Sequence, residues 1–278
     1  MSALGSGSTY YLRETDTDCP LCGSFQRRPF WQGPSWSDSS RQGPSRGDSP
    51  QQGLDWRGAS QDGSDQVAPN QGGPAFPGPQ HSRLKDYWQC DFCSLIFLEP
   101  SQRLTVAEEK ERYHLHQNVV TDEAYLKFLS RLWVPLRDRL QDHQLKGLDF
   151  GCGPAQAFRE LALRAHSGFR ISPYDPQFFP DSSVLQDGYD FIILSEVAEH
   201  LCHPGQVFGQ LIQYLQPGGW LALMTGELED WTQFPRWHYP RDPTHICFYP
   251  QPARKYVADR WGLQMRSPAL SVTLYQRL

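Results

Sequence analysis

Four cysteines in the amino-terminal third of the chain are spaced as metal ligands. They form two Cys-x-x-Cys pairs, Cys19 with Cys22 and Cys90 with Cys93. Two such pairs supply the four thiolates of a tetrahedral structural zinc site. The 67 residues between the pairs exceed the usual range of about 15 to 20. A low-complexity insertion explains the excess, because the entropy of closing a loop grows only with the logarithm of its length. A redox pair without zinc is the alternative.

A glycine-rich turn stands between a buried strand and a helix in the carboxyl-terminal half. It contains Asp149, Gly151 and Gly153 in the pattern D-x-G-x-G. Glycines let the backbone turn tightly and approach a ligand, whose polar end meets the N–H groups of the helix start. Asp175 ends the next strand, where its carboxylate can accept both hydroxyls of a ribose. A dinucleotide fingerprint needs a small residue where this chain has Gln156, which weakens that interpretation.

A further polar group follows the fourth strand of this half. Ser195 and Glu196 come first, and Glu199 and His200 follow. If the segment is helical, Glu196, Glu199 and His200 share one face, because residues three and four apart are neighbours. Two carboxylates and an imidazole are credible ligands for a divalent ion such as magnesium or manganese. The alternative is that Glu196 lies beside a cofactor and His200 braces the loop by hydrogen bonds, without a metal.

Residues 226–250 are too aromatic for an idle connection. Their aromatic side chains are Trp231, Phe234, Trp237, Tyr239, Phe248 and Tyr249. Long loops in compact domains tend to carry function, so we expect this one to wall a substrate pocket. His238 and His245 are the candidate catalytic bases, with Asp242 as an orienting partner. For each histidine alone, a non-catalytic role is the alternative.

Composition excludes several classes of protein. Twenty-three glycines, 23 prolines and a hydrophobic content of 38% in 278 residues indicate that part of the chain is disordered, and we place that insert at about 31–82. The sparse aromatic side chains of the insert are either docking points for a protein partner or incidental to a polar linker. A net charge of −5 excludes a general nucleic-acid coat protein and makes nucleic acid an unexpected partner. No apolar run suits a membrane helix, no secretory signal starts the chain, and the seven cysteines are odd in number, so we expect the cytoplasm.

Strands and helices alternate from Lys146 onward. The predicted strands are 147–150, 170–174, 190–194, 220–224, 263–265 and 271–276, and the predicted helices are 156–164, 205–215 and 251–261. Such alternation predicts an α/β doubly wound sheet that is covered on both faces. Upstream, a capping box at Thr105 and Glu108 opens a helix towards Tyr113. A second helix is predicted at 122–140, which Pro135 should kink or divide.

The carboxyl-terminal half, 146–278, resembles the class I S-adenosylmethionine-dependent methyltransferases. The matching motifs are D-x-G-x-G at 149–153, Y-D-P at 174–176, Y-D-F-I-I at 189–193 and L-Q-P-G-G-W at 215–220. The resemblance implies a seven-stranded, mostly parallel sheet that ends in an antiparallel hairpin. It also implies that S-adenosylmethionine is held by Asp149, Gly151, Gly153, Asp175, Ser195 and Glu196. The third strand, expected between Pro180 and Gly188, is hard to identify.

Two more resemblances extend the prediction. The sequence E-V-x-E-H at 196–200 is similar to that of ubiquinone-pathway O-methyltransferases and small-RNA 2′-O-methyltransferases, which implies His245 as a fourth metal ligand. The cysteine pairs resemble those of bacterial methyltransferases with an amino-terminal zinc-binding module. The predicted organisation is therefore a zinc ribbon over 1–100 with its insert, a helical linker or cover over 101–145, and a methyltransferase domain over 146–278. Within the cover, Tyr113, His116 and Asn118 are expected over the cofactor site.

Three functions remain under comparison. The first is transfer of a methyl group from S-adenosylmethionine to oxygen or carbon of a small-molecule acceptor. The second is metal-assisted 2′-O-methylation of RNA, which requires Arg236, Arg241, Arg254 and Lys255 to line one groove. The third is a non-catalytic adaptor that only senses the cofactor.

Overall fold

Two β-sheets organise the chain. The computed structural model describes residues 18–34, 84–113, 122–140, 145–165, 168–186 and 188–278. The strands are β1 (Arg27–Pro34), β2 (Leu84–Cys90), β3 (Ile96–Leu98), β4 (Lys146–Phe150), β5 (Arg170–Tyr174), β6 (Tyr189–Ser195), β7 (Leu215–Met224), β8 (Cys247–Phe248), β9 (Leu263–Ala269) and β10 (Val272–Arg277). The α-helices are α1 (Val106–Tyr113), α2 (Glu123–Arg137), α3 (Ala157–Arg164), α4 (Pro204–Tyr214) and α5 (Gln251–Trp261).

The larger sheet has the strand order β5-β4-β6-β7-β10-β9. Its first four strands are parallel, and β10 is antiparallel to both of its neighbours. Successive residues of β6 enter different cores, Ile192 in one and Phe191 and Ile193 in the other, as the alternation of side chains across a strand requires. The sheet is therefore covered on both faces, and the predicted α/β doubly wound fold is confirmed.

This sheet has six strands in the described part of the chain, one fewer than the seven expected. Where the third strand was sought, Ser182–Val184 form a 3₁₀ turn, and the side chain of Asp181 accepts a hydrogen bond from the N–H of Ser183. Short polar side chains of this kind satisfy the backbone locally and compete with strand pairing. The same chemistry made the strand hard to identify from sequence.

The helix α2 covers one face of the sheet and is not divided by its proline. The Asp122 carboxylate caps it by accepting the N–H groups of Ala124 and Tyr125. Pro135 lies in the last turn, where its missing N–H removes one hydrogen bond from a helix that ends two residues later. The division predicted for 122–140 is therefore wrong. The capping box of α1 is present, because Thr105 and Glu108 exchange hydrogen bonds.

The smaller sheet is antiparallel, with the order β1-β2-β3-β8. Its strand β1 continues through residues 31–34, so the predicted start of the insert at 31 is wrong by four residues. The cause is Trp31, whose ring lies 5.9 Å from that of Tyr87 on the neighbouring strand and joins the core. The rest of the insert lies outside the described residues.

One hydrophobic core joins the two sheets. Phe97 of the smaller sheet and Leu148 and Ile192 of the larger sheet belong to the same buried cluster, together with Phe234 and Phe248. In the described part of the chain, no helix has the length and apolarity to span a membrane.

Candidate active site

The glycine turn after β4 has a backbone that only glycine adopts without strain. The N–H of Gly151 donates to the Tyr174 carbonyl at 2.7 Å, and its φ is 74°. A Cβ at Gly151 would lie 2.5 Å from a methyl group of Val197. Gly153 also has a positive φ, 59°, yet a Cβ there would meet no described atom within 4 Å. The turn is thus packed on one side and open on the other, where a ligand can approach.

Asp175 stands at the end of β5 with its carboxylate fixed by backbone donors. One oxygen accepts the N–H of Gly153 at 3.2 Å, and the other accepts those of Gln177 and Phe178 at 2.8 and 3.1 Å. The carboxylate is therefore held beside the open side of Gly153. Asp149, at the end of β4, is 4% exposed. Burial, and then the charge of Asp175, raise its pKa to about 7.

Ser195 and Glu196 follow on the adjacent strand β6. The Ser195 hydroxyl is buried and has no hydrogen-bond partner among the described residues. Leaving such a group unsatisfied costs about 1–3 kcal/mol, so a ligand that bonds it gains that amount. The six residues expected to hold the cofactor thus lie at the carboxyl ends of β4, β5 and β6, which are neighbours in the sheet.

The segment 196–200 is not helical, so the condition under which Glu196, Glu199 and His200 would share one helical face is not met. Only Ala198–His200 form a single 3₁₀ turn, and Glu196 has a left-handed backbone with a φ of 54°. The residues that come together are Glu199, His200 and His245, which offer one ligand atom each within 4.8 Å of one another. Glu196 lies outside this group of three.

The two histidines of this group share one protonation pattern. Nδ1 of His200 lies 3.0 Å from the Thr244 carbonyl, and Nδ1 of His245 lies 2.8 Å from the Tyr239 carbonyl. Because a carbonyl only accepts, each Nδ1 carries a proton, and Nε2 is the atom left to bind a metal ion when the ring is neutral. Burial, and then the neighbouring charge of His245, lower the pKa of His200 to about 4. Neutral imidazoles with an anchored Nδ1 are suited to bind a metal ion through Nε2.

Glu199 is fully buried and has a hydrogen bond on each carboxylate oxygen. Thr225, just after β7, donates to Oε2 at 2.8 Å, and the Tyr239 hydroxyl donates to Oε1. The same Tyr239 hydroxyl lies 3.1 Å from Glu196. Burial, and then the charge of Glu199, raise the pKa of Glu196 well above its usual range. Sequence reasoning missed Thr225 and gave Tyr239 only a place in the aromatic wall, since only the approach of separate loops brings their hydroxyl groups to Glu199.

The aromatic segment lies against this group. Trp237 stacks on Tyr239 with ring centroids 4.9 Å apart, and Tyr239 contacts the ring of His245 at 4.1 Å. His238, the other candidate base, is exposed and lies outside the group of three. Asp242 accepts hydrogen bonds from Thr244. Although burial opposes the change, His245 and these hydrogen bonds hold the pKa of Asp242 well below its usual range.

The four amino-terminal cysteines converge on one point. The Sγ atoms of Cys19 and Cys93, and those of Cys22 and Cys90, are 3.5 Å apart, and all four lie within 4.8 Å of one another. A disulfide requires about 2.05 Å. A tetrahedral site with Zn–S bonds of about 2.3 Å sets its sulfur atoms about 3.8 Å apart. The donors and their spacing therefore fit zinc.

The two cysteine pairs sit in matching turns. In each turn, the N–H of the first cysteine, Cys19 or Cys90, donates at 2.9 Å to the carbonyl five residues later. The fourth residue after that cysteine, Gly23 or Ser94, donates back to it and has a left-handed φ of 76° or 62°. Hydrogen bonds among the four thiols hold the pKa of Cys22 and Cys90 below the usual range and raise that of Cys19 and Cys93. The two turns are thus shaped alike, and each brings its cysteine pair to the other pair.

Comparison with known proteins identifies the family. A family described as "Methyltransferase domain" matches residues 122–267, which is more than half of the chain. The chain belongs to this methyltransferase family. It is an S-adenosylmethionine-dependent enzyme with the class I fold. Among curated proteins, no match to the methyltransferase was found.

Several solved structures are similar to the methyltransferase. A candidate sarcosine dimethylglycine methyltransferase of Galdieria sulphuraria is 20% identical, with a TM-score of 0.41 over 58% of this chain and 76% of that one. An O-methyltransferase family protein of Burkholderia thailandensis is 16% identical, with a TM-score of 0.40 over 61% and 62%. A phosphoethanolamine N-methyltransferase of Haemonchus contortus, crystallised with S-adenosylhomocysteine, is 13% identical, with a TM-score of 0.36 over 48% and 38%. The family assignment rests on the sequence match alone.

The basic residues named for RNA binding do not assemble as expected in the methyltransferase. Arg254 is 1% exposed and forms a 2.6 Å ion pair with Glu227, and Lys255 pairs with Asp259 on the surface of α5. The basic groove required by the RNA alternative is therefore not formed by the residues named for it. His116 and Asn118, expected over the cofactor, lie outside the described residues.

Proposed function

We propose that this enzyme transfers a methyl group from S-adenosylmethionine to oxygen or carbon of a small-molecule acceptor. Asp175 carries the proposal, since its carboxylate is fixed beside the open side of Gly153, where it can accept the ribose hydroxyls. Asp149, Gly151, Ser195 and Glu196 complete the cofactor site. The buried Ser195 hydroxyl, without a described partner, supports a ligand at this edge of the sheet.

Methyl transfer is a direct displacement at a sulfonium, so the protein supplies mainly alignment and water exclusion. Correct orientation of two reactants contributes about 7–11 kcal/mol. The rings of Trp237 and Tyr239 stack on each other, and the Tyr239 hydroxyl contacts Glu196, which directly follows β6. These side chains form the acceptor wall. His245 is the proposed base for an O–H acceptor, which would add about 10²–10⁴ in rate. His238 stays the second candidate.

The cofactor site is tested with Asp175→Asn. Loss of a charged acceptor costs about 1.5–3 kcal/mol, so the variant is expected to bind S-adenosylhomocysteine about 10- to 100-fold more weakly by titration calorimetry. Asp259→Asn, on the exposed face of α5, is the matched control and is expected to bind like the native protein. Equal affinity in both variants would remove Asp175 from the site.

We propose further that Glu199, His200 and His245 hold a divalent ion, magnesium or manganese. Glu196 was predicted as a ligand together with Glu199 and His200, with His245 as the fourth, and the Tyr239 hydroxyl links Glu196 to Glu199. When bound, such an ion lowers the pKa of an acceptor hydroxyl. The support is the donor set itself, a fully buried carboxylate and two imidazoles with anchored Nδ1 atoms. Thr225 and Tyr239 then orient the Glu199 carboxylate.

Manganese titration followed by electron paramagnetic resonance tests this site. His245→Gln is expected to weaken manganese binding at least tenfold, whereas His238→Gln, the neighbouring exposed histidine, is expected to leave it unchanged. Added magnesium or manganese should also raise turnover in a screen of metabolites with labelled S-adenosylmethionine. If the native protein binds no manganese, His200 and His245 only brace the loop.

We also propose that Cys19, Cys22, Cys90 and Cys93 hold a structural zinc ion. A site closed by four thiolates leaves zinc no open position for catalysis. All seven cysteines are free, which supports a reducing compartment such as the cytoplasm. The ribbon over 1–100, the cover over 101–145 and the catalytic domain over 146–278 are proposed as the organisation of the chain, with the insert as a site for a protein partner.

A further inference from the structure

We infer that the zinc ribbon holds Glu199 and His245 in place, and that zinc loss loosens this group while the cofactor turn stays ordered. The inference rests on the zinc ion proposed above. The proposed role of zinc is to position other residues, because its four cysteine ligands lie in the ribbon whereas Glu199 and His245 lie in the catalytic half. The connection runs through backbone hydrogen bonds on both sides of the 245–248 segment.

The first part of the connection is the strand β3. Cys90 ends β2, and the turn that contains Cys93 leads directly into β3. That strand pairs antiparallel with β8, Ile96 opposite Phe248 and Phe97 opposite Cys247. Because β8 starts two residues after His245, the cysteine turn and the histidine lie at the two ends of one short stretch of sheet.

The peptide of Ile246 is the second part. Its carbonyl accepts the N–H of Leu98 at 2.9 Å, and its N–H donates to the Glu199 carbonyl at 2.8 Å. Ile246 itself is 1% exposed. One buried residue next to His245 thus links the ribbon sheet with the backbone of Glu199, so a shift of β3 moves both.

The other cysteine turn contacts the start of α4, which follows His200 along the chain. The carbonyl of Pro20 accepts the N–H of Gly205 at 3.2 Å, in the first turn of α4. A Cβ at Gly205 would lie 2.2 Å from the Leu21 carbonyl oxygen, so only glycine allows this approach. Gly205 follows His200 by five residues. Zinc, by tying the two turns together, would fix both β3 and the start of α4.

The cofactor turn packs against Val197 but takes its backbone hydrogen bonds from another strand. The hydrogen bonds of Gly151 and Gly153 that hold it go to Tyr174 and Asp175, both at the end of β5. Among the described residues, β5 lies at the edge of the larger sheet furthest from β9 and pairs only with β4. This half of the site therefore does not depend on the ribbon for its backbone hydrogen bonds.

Hydrogen–deuterium exchange on the full-length protein tests the inference. Zinc is measured first by elemental analysis and then removed with a mercurial and a chelator. Amides of 246–248 and 199–201 are expected to exchange at least tenfold faster afterwards, whereas those of 148–151 and 191–194 change less than twofold. Faster exchange confined to 19–24 and 90–95 would overturn the inference, and so would an equal rise throughout the chain.

A variant makes the same test without touching a cysteine. Gly205→Ala places a methyl group against the Leu21 carbonyl and is expected to speed exchange at 199–201 with zinc still bound. Gly209→Ala, on the same helix, meets its nearest neighbour at an ordinary 3.5 Å and is the matched control. Equal exchange in the two variants contradicts the inference. Elemental analysis that finds no zinc in the native protein, purified without chelators, overturns the inference as well. Titration with S-adenosylhomocysteine tests the methyltransferase site separately, so failure of one proposal can be told from failure of the other.

Discussion

Asp149 is a buried carboxyl group whose charged form lowers the stability of the folded protein. Its raised pKa of about 7 means that the folded state binds a proton more tightly than the unfolded chain does. The contribution of Asp149 to stability is therefore greatest at low pH and is lost as the pH rises from about 4 to 7. Asp149 is destabilising when charged and nevertheless lies beside the cofactor turn. This is typical of a functional residue, because function and stability favour different side chains at such a position.

Replacing Asp149 should therefore stabilise the protein. Three pKa units correspond to about 4 kcal/mol, which is the upper limit for the gain in Asp149→Asn at pH 8, and the gain should be smaller at pH 5. Thermal unfolding at both pH values measures it. Asp259→Asn, whose carboxylate is exposed, is the control and should show no such pH dependence. A lower melting temperature for Asp149→Asn at pH 8 would contradict the argument.

The structural roles of single residues differ in how well they can be predicted from the sequence. Gly151, Gly153 and Asp175 act through local backbone geometry and a fixed spacing, and the motif therefore predicted their arrangement. Thr225 and Tyr239 gain their role only because two separate loops bring their hydroxyl groups to Glu199. No local pattern marks such residues, since threonine after a strand and tyrosine in an aromatic segment are ordinary.

At the scale of elements, hydrophobic periodicity predicted the strands and helices of the larger sheet within a few residues. The failures occurred where local polar bonds or tertiary contacts decide the backbone. The sequence allowed a helix over 196–200, yet Glu196 adopts a left-handed backbone whose N–H donates to the Met224 carbonyl of β7. The expected third strand is a turn, and β1 extends into the predicted insert because Trp31 joins a core that the sequence alone does not reveal.

At the scale of the molecule, the ribbon and the catalytic half share one core. Residues of β3, β4, β6 and the aromatic segment belong to a single buried cluster, although the sequence suggested modules that meet at a linker. Because the two parts share one hydrophobic core, we expect them to unfold together. The division of the chain into 1–100 and 146–278 therefore describes its motifs better than its packing.

The zinc-loaded protein should accordingly unfold in one transition. Differential scanning calorimetry is expected to give one peak whose calorimetric and van't Hoff enthalpies agree, because neither sheet keeps a complete core without the other. Saturation with S-adenosylhomocysteine should shift that whole peak upward, since the ligand binds only the folded state. Two peaks, only one of which moves with the ligand, would show that the ribbon is an independent unit.

The pairing of β3 with β8 also affects how the chain is made. On the ribosome, β1, β2 and β3 emerge early, but the strand that completes their sheet comes about 150 residues later. Until then β3 has a bare edge, and bare edges pair with other chains. The nascent chain thus exposes the unpaired edge of β3 through most of its synthesis. Its yield in a cell should therefore depend on chaperones that cover this edge.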